Sequence, residues 1–230
     1  MPAGDAVLKV QFPGRESEHE ADALRVWDGD GAVRLIDHDA ERHALLLERA
    51  CPGTALAEVG LDAALDVFVD LLPRLWKPAG SPFRALADEA ARWVDELPER
   101  WEEAGEPFER RLLDAAIDTL RELSATQGEQ VLLHQDFHAL NVLAAEREPW
   151  LTIDPKPLAG EREFGIAAIV RGTELGHSKR DVLRRLDRLT SELALDRERA
   201  RGWALGQTIA WGIGHAEHVD VARWLIEAGQ

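Results

Sequence analysis

The sequence predicts an α+β fold with two lobes: a small β-rich N-terminal lobe and a larger, mainly helical C-terminal lobe. Three observations predict it. The first fifty residues hold short apolar runs around one helical pattern, and long amphipathic patterns begin near residue 60. Three short extended pieces then interrupt the helical region. We place the lobes at 1–50 and 51–230, with a connector near 48–54.

The N-terminal lobe consists of three predicted strands and one helix. DAVLKVQF (5–12) is a strand that ends at a Pro-Gly turn. SEHEADALRVW (17–27) places apolar residues on one side at helical spacing, with Ser17 as the N-cap. AVRLIDHD (32–39) and HALLLERA (43–50) are the other two strands.

Long amphipathic patterns predict the helices of the C-terminal lobe. Pro98 lies inside the second of them and predicts a break or kink there. The pieces EQVLLHQDF, NVLAA and WLTIDP predict three short strands within this lobe. The helices are predicted near 60–76, 83–103, 107–125, 164–177, 179–195 and 197–228.

The composition of the 230 residues, 45% hydrophobic and 30% charged, is that of a soluble globular protein. The N-terminus lacks a basic region followed by an apolar core, and no apolar run is long enough for a membrane span. We therefore expect no membrane partner. The lone Cys51 excludes an internal disulfide and, with these features, predicts a cytoplasmic location.

The net charge of −16 argues against nucleic acid as a partner, because neutralising phosphates requires a basic surface. An acidic surface can attract a cationic substrate, or it can serve only to keep the protein soluble. The charge balance alone leaves both explanations open.

The stretch LLHQDFHALNVL (132–143), followed by WLTIDPKP (150–157), carries the strongest chemical signal. Its polar residues could simply bond the loop in which they lie. The pattern H-x-D-x-H of His134, Asp136 and His138 could instead hold zinc in a metal hydrolase. The spacing H-x-D-x-x-x-x-N, followed by a strand that ends in Asp, is that of a kinase-type catalytic loop.

Phosphoryl transfer assigns a role to each of these polar residues. Asp136 would orient an attacking hydroxyl and accept its proton. Asn141 and Asp154 would offer hard oxygen ligands to Mg²⁺, and His134 would brace the loop. This interpretation explains the most residues with one chemistry.

The β-rich lobe supplies a cation for nucleotide phosphates. Lys9 lies in the middle of the apolar strand AVLKV, where a buried ammonium needs a partner, and Glu20 on the next helix could provide it. Lys9 could also be an edge-strand lysine that discourages aggregation. The presence of all these elements in this order favours the phosphate-binding role.

These segments resemble the aminoglycoside/hydroxyurea phosphotransferase family, the streptomycin 6-kinase-like enzymes within the protein-kinase-like fold. The similarity rests on AVLKV, EHEADALR, ALLLER-x-x-PGT, LLHxDxHxxNVL and WLTIDPKPLxGE. It implies an antibiotic-resistance kinase that transfers the γ-phosphate of Mg·ATP to a hydroxyl of a small molecule. A streptomycin-like aminoglycoside or hydroxyurea would be the acceptor.

The resemblance also implies roles for individual residues. The backbone around Glu48, Arg49 and Ala50 would form the hinge that receives adenine. The remaining roles are Asp136 as catalytic base, Asn141 and Asp154 as Mg²⁺ ligands, Lys9 as phosphate-binding lysine, and Glu20 as its partner with Glu18 as the alternative.

Further polar residues lie beside these motifs. Lys156 could contact phosphate oxygens or neutralise Asp154 when no metal is bound, and we favour a structural or electrostatic role. Glu217 or Asp220 would be the counter-charges for a cationic acceptor. We interpret the tryptophans of the C-terminal helices as core residues: Trp203, Trp211 and Trp224.

The resemblance fails at the start of the chain. Only Met1–Gly4 precede the Lys9 strand and no G-x-G-x-x-G is present, so we expect the first two strands and the phosphate-covering loop to be missing. A missing lid predicts a catalytically weak or inactive ligand-binding module as the alternative function. It also predicts an unpaired strand edge that a second subunit could cover in a homo-oligomer, unless the natural protein starts further upstream.

Overall fold

The computed structural model describes residues 6–229. Its N-terminal part is a three-stranded antiparallel sheet with one helix beside it. The middle strand is the third in the chain, and Lys9 on the first strand pairs with Leu45 on it. The predicted strand start at Asp5 and the segment Met1–Gly4 lie outside the described residues. The elements are β1 Ala6–Val10, α1 Glu20–Trp27, β2 Leu35–Asp39 and β3 Ala44–Glu48.

The helix α1 buries the apolar side that its periodicity predicts. Leu24 and Trp27 are buried, and the Trp27 indole donates a hydrogen bond to the carbonyl of Leu75 in the C-terminal part (2.8 Å). The predicted N-cap is wrong: the Ser17 hydroxyl bonds carbonyls of the preceding loop, and the helix begins after His19. A side chain already used within its own loop cannot cap the helix.

Within the described residues, β1 pairs with β3 alone, so β1 is an edge strand. Val10 is 69% exposed and Phe12, just beyond the strand, is 89% exposed. Apolar side chains at a sheet edge favour association with another surface. The homo-oligomer predicted through this edge stays a prediction.

The C-terminal part is mainly helical and surrounds one hydrophobic core. Its helices are α2 Leu61–Leu75, α3 Leu86–Glu103, α4 Arg110–Ala125, α5 Ala167–Arg171, α6 Lys179–Glu192, α7 Arg197–Gly212 and α8 Ala216–Glu227. The central helix is α7, which packs against α4, α5, α6 and α8. Its buried residues include Trp203 and Leu205.

Three helix predictions differ from the structure. The predicted helix 197–228 is two helices, because the turn between them holds Gly214 at a φ of 84°, a left-handed conformation that ends the helix. Pro98 does not break α3, which continues through it with Leu97 and Trp101 buried in the core, and the kink given as the other possibility stays a prediction. The predicted helix 164–177 is a 3₁₀ turn followed by the short α5.

Four short strands lie among these helices: β4 Val131–His134, β5 Val142–Ala144, β6 Trp150–Thr152 and β7 Pro157–Gly160. β4 pairs with β7 and β5 pairs with β6, both antiparallel. β7 was not predicted, because its sequence PLAG begins with Pro and ends with Gly, both depleted in strands.

The β5–β6 hairpin lies where the two parts of the chain meet. On one edge, the backbone of Thr152 bonds with residues 31–33 of the N-terminal part at 2.8 and 3.0 Å. On the other edge, the backbone of Ala144 bonds with the connector residues 53–54, again at 2.8 and 3.0 Å. The predicted boundary at residue 50 falls just before this connector, and as a division into domains it stays a prediction.

A search of the helices in residues 6–229 finds none with the length and apolar composition needed to cross a membrane.

Candidate active site

His134 closes the strand β4 and fixes the loop that follows. Its ring Nε2 donates to the carbonyl of Ile153 (2.9 Å), and its Nδ1 accepts from the backbone N–H of Asp136 (3.3 Å). The ring is buried and stacks on Trp27. Burial is the main reason that its pKa falls to about 4 from 6.5, so the ring is neutral at physiological pH. These contacts match the predicted bracing role.

The zinc interpretation of the same motif is not supported by this geometry. Both ring nitrogens of His134 are engaged in hydrogen bonds within the protein, so neither offers a lone pair to a metal. In the part of the chain that the structure describes, no group of three or more His, Cys, Asp or Glu side chains could hold a metal ion.

Asp136 is buried and surrounded by positive charge. Its carboxylate accepts hydrogen bonds from Lys156 Nζ (2.7 Å) and Arg171 Nη2 (3.2 Å), and His138 Nε2 lies 3.5 Å away. Burial alone would raise the pKa of Asp136, but the hydrogen bonds and charges of His138 and Lys156 outweigh it and hold the pKa well below its usual range. The carboxylate is therefore ionised and fixed in orientation.

Lys156 thus contacts a different carboxylate from the one considered in the sequence analysis. It bonds Asp136 rather than neutralising Asp154. The strand β7 turns back along β4 directly after Lys156, which brings this side chain to the loop that holds Asp136. Lys156, two residues after Asp154, therefore holds the carboxylate of Asp136.

Lys9 joins two carboxylates from different parts of the chain. Its ammonium bonds both oxygens of Glu20, at 2.6 and 2.7 Å, and also contacts Asp154. Glu20 is buried, whereas the alternative Glu18 is exposed, so the structure selects Glu20. Burial raises the pKa of Glu20 despite the opposing effect of Lys9.

Asp154 and Asn141 both reach the cleft between the two parts. The Asp154 side chain is 45% exposed, and its backbone has a φ of 56°, a left-handed conformation found at functional sites. The Asn141 amide nitrogen donates to the carbonyl of Asp136 (2.9 Å), which leaves the amide oxygen as its acceptor group.

This cleft encloses about 680 Å³. The Glu48 carboxylate is turned to Arg147, at 2.7 and 2.9 Å, and the Glu48 N–H donates to the carbonyl of Arg34 (2.9 Å). The hinge role of residues 48–50 stays a prediction. An adjoining cavity of about 420 Å³ shares Lys9 and Asp154 with it and extends to Lys156. Residues that line the larger cleft include Lys9, Glu48, Arg49, Ala50, Asn141 and Asp154.

Arg171, a residue beside Asp136, was missed by the sequence analysis. Arg171 is 8% exposed and bonds both Asp136 and Gln207, and its guanidinium lies 4.9 Å from the ring centre of Trp211. Lys156 lies 5.2 Å from the same ring. Arg171 ends an apolar run, and a cation in that position needs a buried partner, which is the signal that could have revealed it.

The interpretation of the tryptophans as core residues fits Trp203, which is fully buried. Trp211 and Trp224 are partly buried and pack against the core, and the ring of Trp211 also lies beside the two cations that contact Asp136.

Within residues 6–229, no hydrogen bond or ion pair joins Glu217 or Asp220 to Asp136. Glu217 is exposed in the first turn of α8. Asp220 lies 3.5 Å from Arg223, which in turn bonds Glu109 at the start of α4. Their role as acceptor counter-charges stays a prediction.

Comparison with known protein families gives a match that covers most of the chain. The model of the family described as aminoglycoside/hydroxyurea antibiotic resistance kinase matches residues 2–218. The chain belongs to this family. The predicted resemblance is thereby confirmed, and the family match extends from the Lys9 strand into α8.

Two curated relatives share 43% identity with this family member. One is a hydroxyurea phosphotransferase of Kitasatospora aureofaciens, aligned over 95% of this chain and 64% of the relative. The other is a streptomycin 6-kinase of Streptomyces glaucescens, aligned over 90% of this chain and 71% of the relative. The chain thus spans slightly less than two thirds of the first relative's length.

Among solved structures, the choline kinase LicA of Streptococcus pneumoniae superimposes on this family member with a TM-score of 0.68 at 12% identity. The match covers 96% of this chain and 86% of the choline kinase. Similarity at this identity concerns the fold, and it confirms the predicted kinase-like α+β architecture of two lobes.

Proposed function

We propose that this chain transfers the γ-phosphoryl group of Mg·ATP to a hydroxyl group of a small antibiotic-like molecule. The observation that carries the proposal is the meeting of Lys9, Glu20 and Asp154 in the adjoining cavity, next to the loop that holds Asp136. The names of the two relatives supply the acceptors to test first: a streptomycin-like aminoglycoside and hydroxyurea. With ATP as donor, the proposed place of action is the cytoplasm.

The cleft residues fit a magnesium–nucleotide complex. Asp154 offers an exposed carboxylate, and Asn141 has an amide oxygen left for a metal. Such hard oxygen ligands suit Mg²⁺, and Lys9 offers the ammonium that phosphate oxygens require. Asn141 and Asp154 would hold the metal, and Glu48, Arg49 and Ala50 would receive the adenine.

When bound, Mg·ATP supplies the phosphoryl group and the cation that neutralises its oxygens. The protein supplies placement and charge. Glu20 holds the Lys9 ammonium in the cleft from a buried position, and His134 holds the loop that presents Asp136.

Asp136 acts on the acceptor hydroxyl in this proposal. Because its pKa lies well below the usual range, the carboxylate is ionised and accepts a hydrogen bond from the hydroxyl. A carboxylate of low pKa is a weak base, so it would orient the hydroxyl first and take the proton only as the new oxygen–phosphorus bond forms and the bond between the γ-phosphorus and the leaving ADP breaks. Lys156 and Arg171 keep the carboxylate oriented.

The experiment that tests the function is a coupled assay of ATP consumption with streptomycin, related aminoglycosides and hydroxyurea, followed by mass spectrometry of the product. We expect acceptor-dependent ADP formation and a product one phosphoryl group heavier. ADP formation without a phosphorylated acceptor, or no ADP formation with any acceptor, contradicts the proposal.

A further inference from the structure

Arg147, in the turn of the β5–β6 hairpin, has an acceptor for every N–H of its guanidinium. Nε and Nη2 bond the two carboxylate oxygens of Glu48, at 2.7 and 2.9 Å. Nη2 also donates to the carbonyl of Ala32 (2.9 Å), while Nη1 donates to the carbonyl of Gly29 (2.8 Å) and to Glu148 (2.7 Å). Five donors and five acceptors make this a complete set for an arginine.

The arrangement is specific to arginine at this position. The guanidinium meets Glu48 with two parallel hydrogen bonds, a geometry that the single ammonium of lysine cannot reproduce. Both side chains are mostly buried, with 22% and 19% of their surfaces exposed. A charge-assisted pair with this little exposure is screened much less by solvent than a surface ion pair.

Gly29 supplies one of these carbonyls from a left-handed backbone. Its φ is 84°, which glycine adopts without steric cost. A Cβ at this position would lie 2.9 Å from Cγ of Arg34 but in ordinary contact, at 3.4 Å, with Nη2 of Arg147. Glycine is therefore favoured here by the backbone conformation and by the nearby Arg34 side chain.

The hairpin connects this contact with the predicted metal ligands. Arg147 lies at the turn, whereas Asn141 directly precedes β5 and Asp154 follows β6 by two residues, at the open end. Three paired residues separate the two ends, a length of about 10 Å. The hairpin is thus a short rigid element with the arginine at one end and the metal ligands at the other.

Glu48, the partner of Arg147, is connected through the N-terminal sheet to Lys9, the proposed phosphate-binding lysine. Glu48 ends β3 and pairs with Ala6 of β1, the strand that carries Lys9. The carbonyls of Gly29 and Ala32 belong to the segment between α1 and β2. One guanidinium therefore fixes the N-terminal sheet and its hinge against the hairpin.

We propose that Arg147 is a positioning residue for the nucleotide site: it holds the hinge at Glu48 and the Lys9 strand in register with the hairpin that presents Asn141 and Asp154. The inference rests on the proposed function for its nucleotide readout. It assigns Arg147 no contact with substrate. Its effect is to fix the separation of Lys9 and Asp154 across the cleft.

The test compares Arg147→Met, Arg147→Lys and Glu48→Gln with the control Arg74→Met in the full chain. Arg74 also bonds the hairpin through Glu148, but it bonds Asp30 instead of the hinge glutamate. Each variant is measured for thermal stability, for the Kd of a non-hydrolysable Mg·ATP analogue, and for amide hydrogen exchange in the nucleotide-free protein.

We expect Arg147→Met and Arg147→Lys to weaken analogue binding by roughly 10-fold, the scale of a lost pair of charge-assisted hydrogen bonds. Glu48→Gln should weaken it by roughly 3-fold, and the control should stay within about 2-fold of the wild type. Amides of residues 31–33 and 53–55 should exchange faster in the Arg147 variants than in the control. If Arg147→Met does not fold, Arg147→Lys and Glu48→Gln carry the comparison.

Unchanged exchange of these amides in the Arg147 variants overturns the inference whether or not the wild type binds nucleotide. So does analogue binding within about 2-fold of the wild type together with reduced thermal stability, since that is the result of a purely structural role. Failure of the wild type to bind the analogue would instead count against the proposed function, and the exchange data would then decide on the contact itself.

Discussion

Asp136 and Asp154 are two carboxylates that each contact a lysine, yet their surroundings differ. Lys156 and Arg171, which bond Asp136, come from its own lobe, and the Asp136 side chain is 12% exposed. The partner of Asp154 is Lys9 from the other lobe, and the Asp154 side chain is 45% exposed. Asp136 is thus held by residues of its own lobe, whereas Asp154 gains its cationic partner only where the two lobes meet.

This difference separates two requirements of the proposed phosphoryl transfer. The acceptor side has its geometry set by the packing of a single lobe and should tolerate small changes in lobe orientation. The phosphate side depends on how the Lys9 strand is held against the β5–β6 hairpin. Substitutions on the two sides should therefore affect different kinetic parameters, and that expectation can be tested directly.

The largest effect is expected for Asp136→Asn. In the proposed function, this substitution removes the charge that orients the hydroxyl and accepts its proton, so kcat should fall on the order of 10²–10⁴-fold. The Kd for Mg·ATP should change little, because Asp136 belongs to the acceptor side. Steady-state kinetics and equilibrium binding measure the two quantities. Asp118→Asn, at an exposed carboxylate, is the control, and a kcat loss of less than about 10-fold in Asp136→Asn would argue against the assigned role.

Next in size is Lys9→Met, which acts on the side shared by the two lobes. Loss of the ammonium should lower kcat/KM for ATP by roughly 100-fold, because it removes a charge placed for phosphate oxygens. It also leaves Glu20 buried without its cation, which should reduce thermal stability.

The variant Lys9→Met/Glu20→Gln separates these two effects of the lysine. It should recover stability without recovering activity. Lys179→Met, at an exposed ion pair, serves as the control. Recovery of ATP affinity in the double variant would show that Lys9 acts only by satisfying Glu20.

The sequence was sufficient to predict the parts of the site that depend on local spacing. The separation of Asp136, Asn141 and Asp154 along a loop and a hairpin is a local property, so their placement could be anticipated. The bonds from Lys156 and Arg171 to Asp136 could not be anticipated. The first depends on the β4–β7 register, and the second depends on the position of α5. Long-range packing decides these contacts.

The same distinction holds for the fold. The alternation of a strand-rich and a helix-rich region was readable from periodicity, and so were most helices. The strand β7 and the division between α7 and α8 were missed, because the first is defined by its partner strand and the second by a three-residue turn at Gly214. The contacts of Arg147 join residues that are 99 to 118 positions apart, which no local pattern records.

A smaller effect is expected from His134 as a function of pH. Its pKa is about 4 in the folded chain, against 6.5 for an unperturbed histidine, because burial disfavours the charged ring. As the pH falls from about 7 to about 5, the unfolded chain takes up a proton that the folded chain does not, so the free energy of unfolding should fall by about 2 kcal/mol from this residue.

Urea unfolding of the wild type and of His134→Gln at both pH values measures the effect. Glutamine retains a donor and an acceptor but does not titrate, so its pH dependence should be weaker by that amount. His218, whose pKa is also about 4, contributes with the same sign in both proteins and cancels in the difference. Equal pH dependence in the two proteins would contradict a depressed pKa at His134.

The smallest effect is expected for Arg171→Lys, which sharpens the contrast between the two sides. Lysine keeps the charge but loses the planar group that bonds both Asp136 and Gln207 beside Trp211, so Asp136 should be held less firmly. We expect kcat to fall by roughly 10-fold with KM for ATP within about 2-fold of the wild type.

Arg185→Lys, at another buried arginine that bonds only carbonyls of its own lobe, is the matched control for stability. An equal rise in KM for ATP in Arg171→Lys would mean that the two sides of the site are coupled through the C-terminal lobe, and the separation argued from Asp136 and Asp154 would not hold.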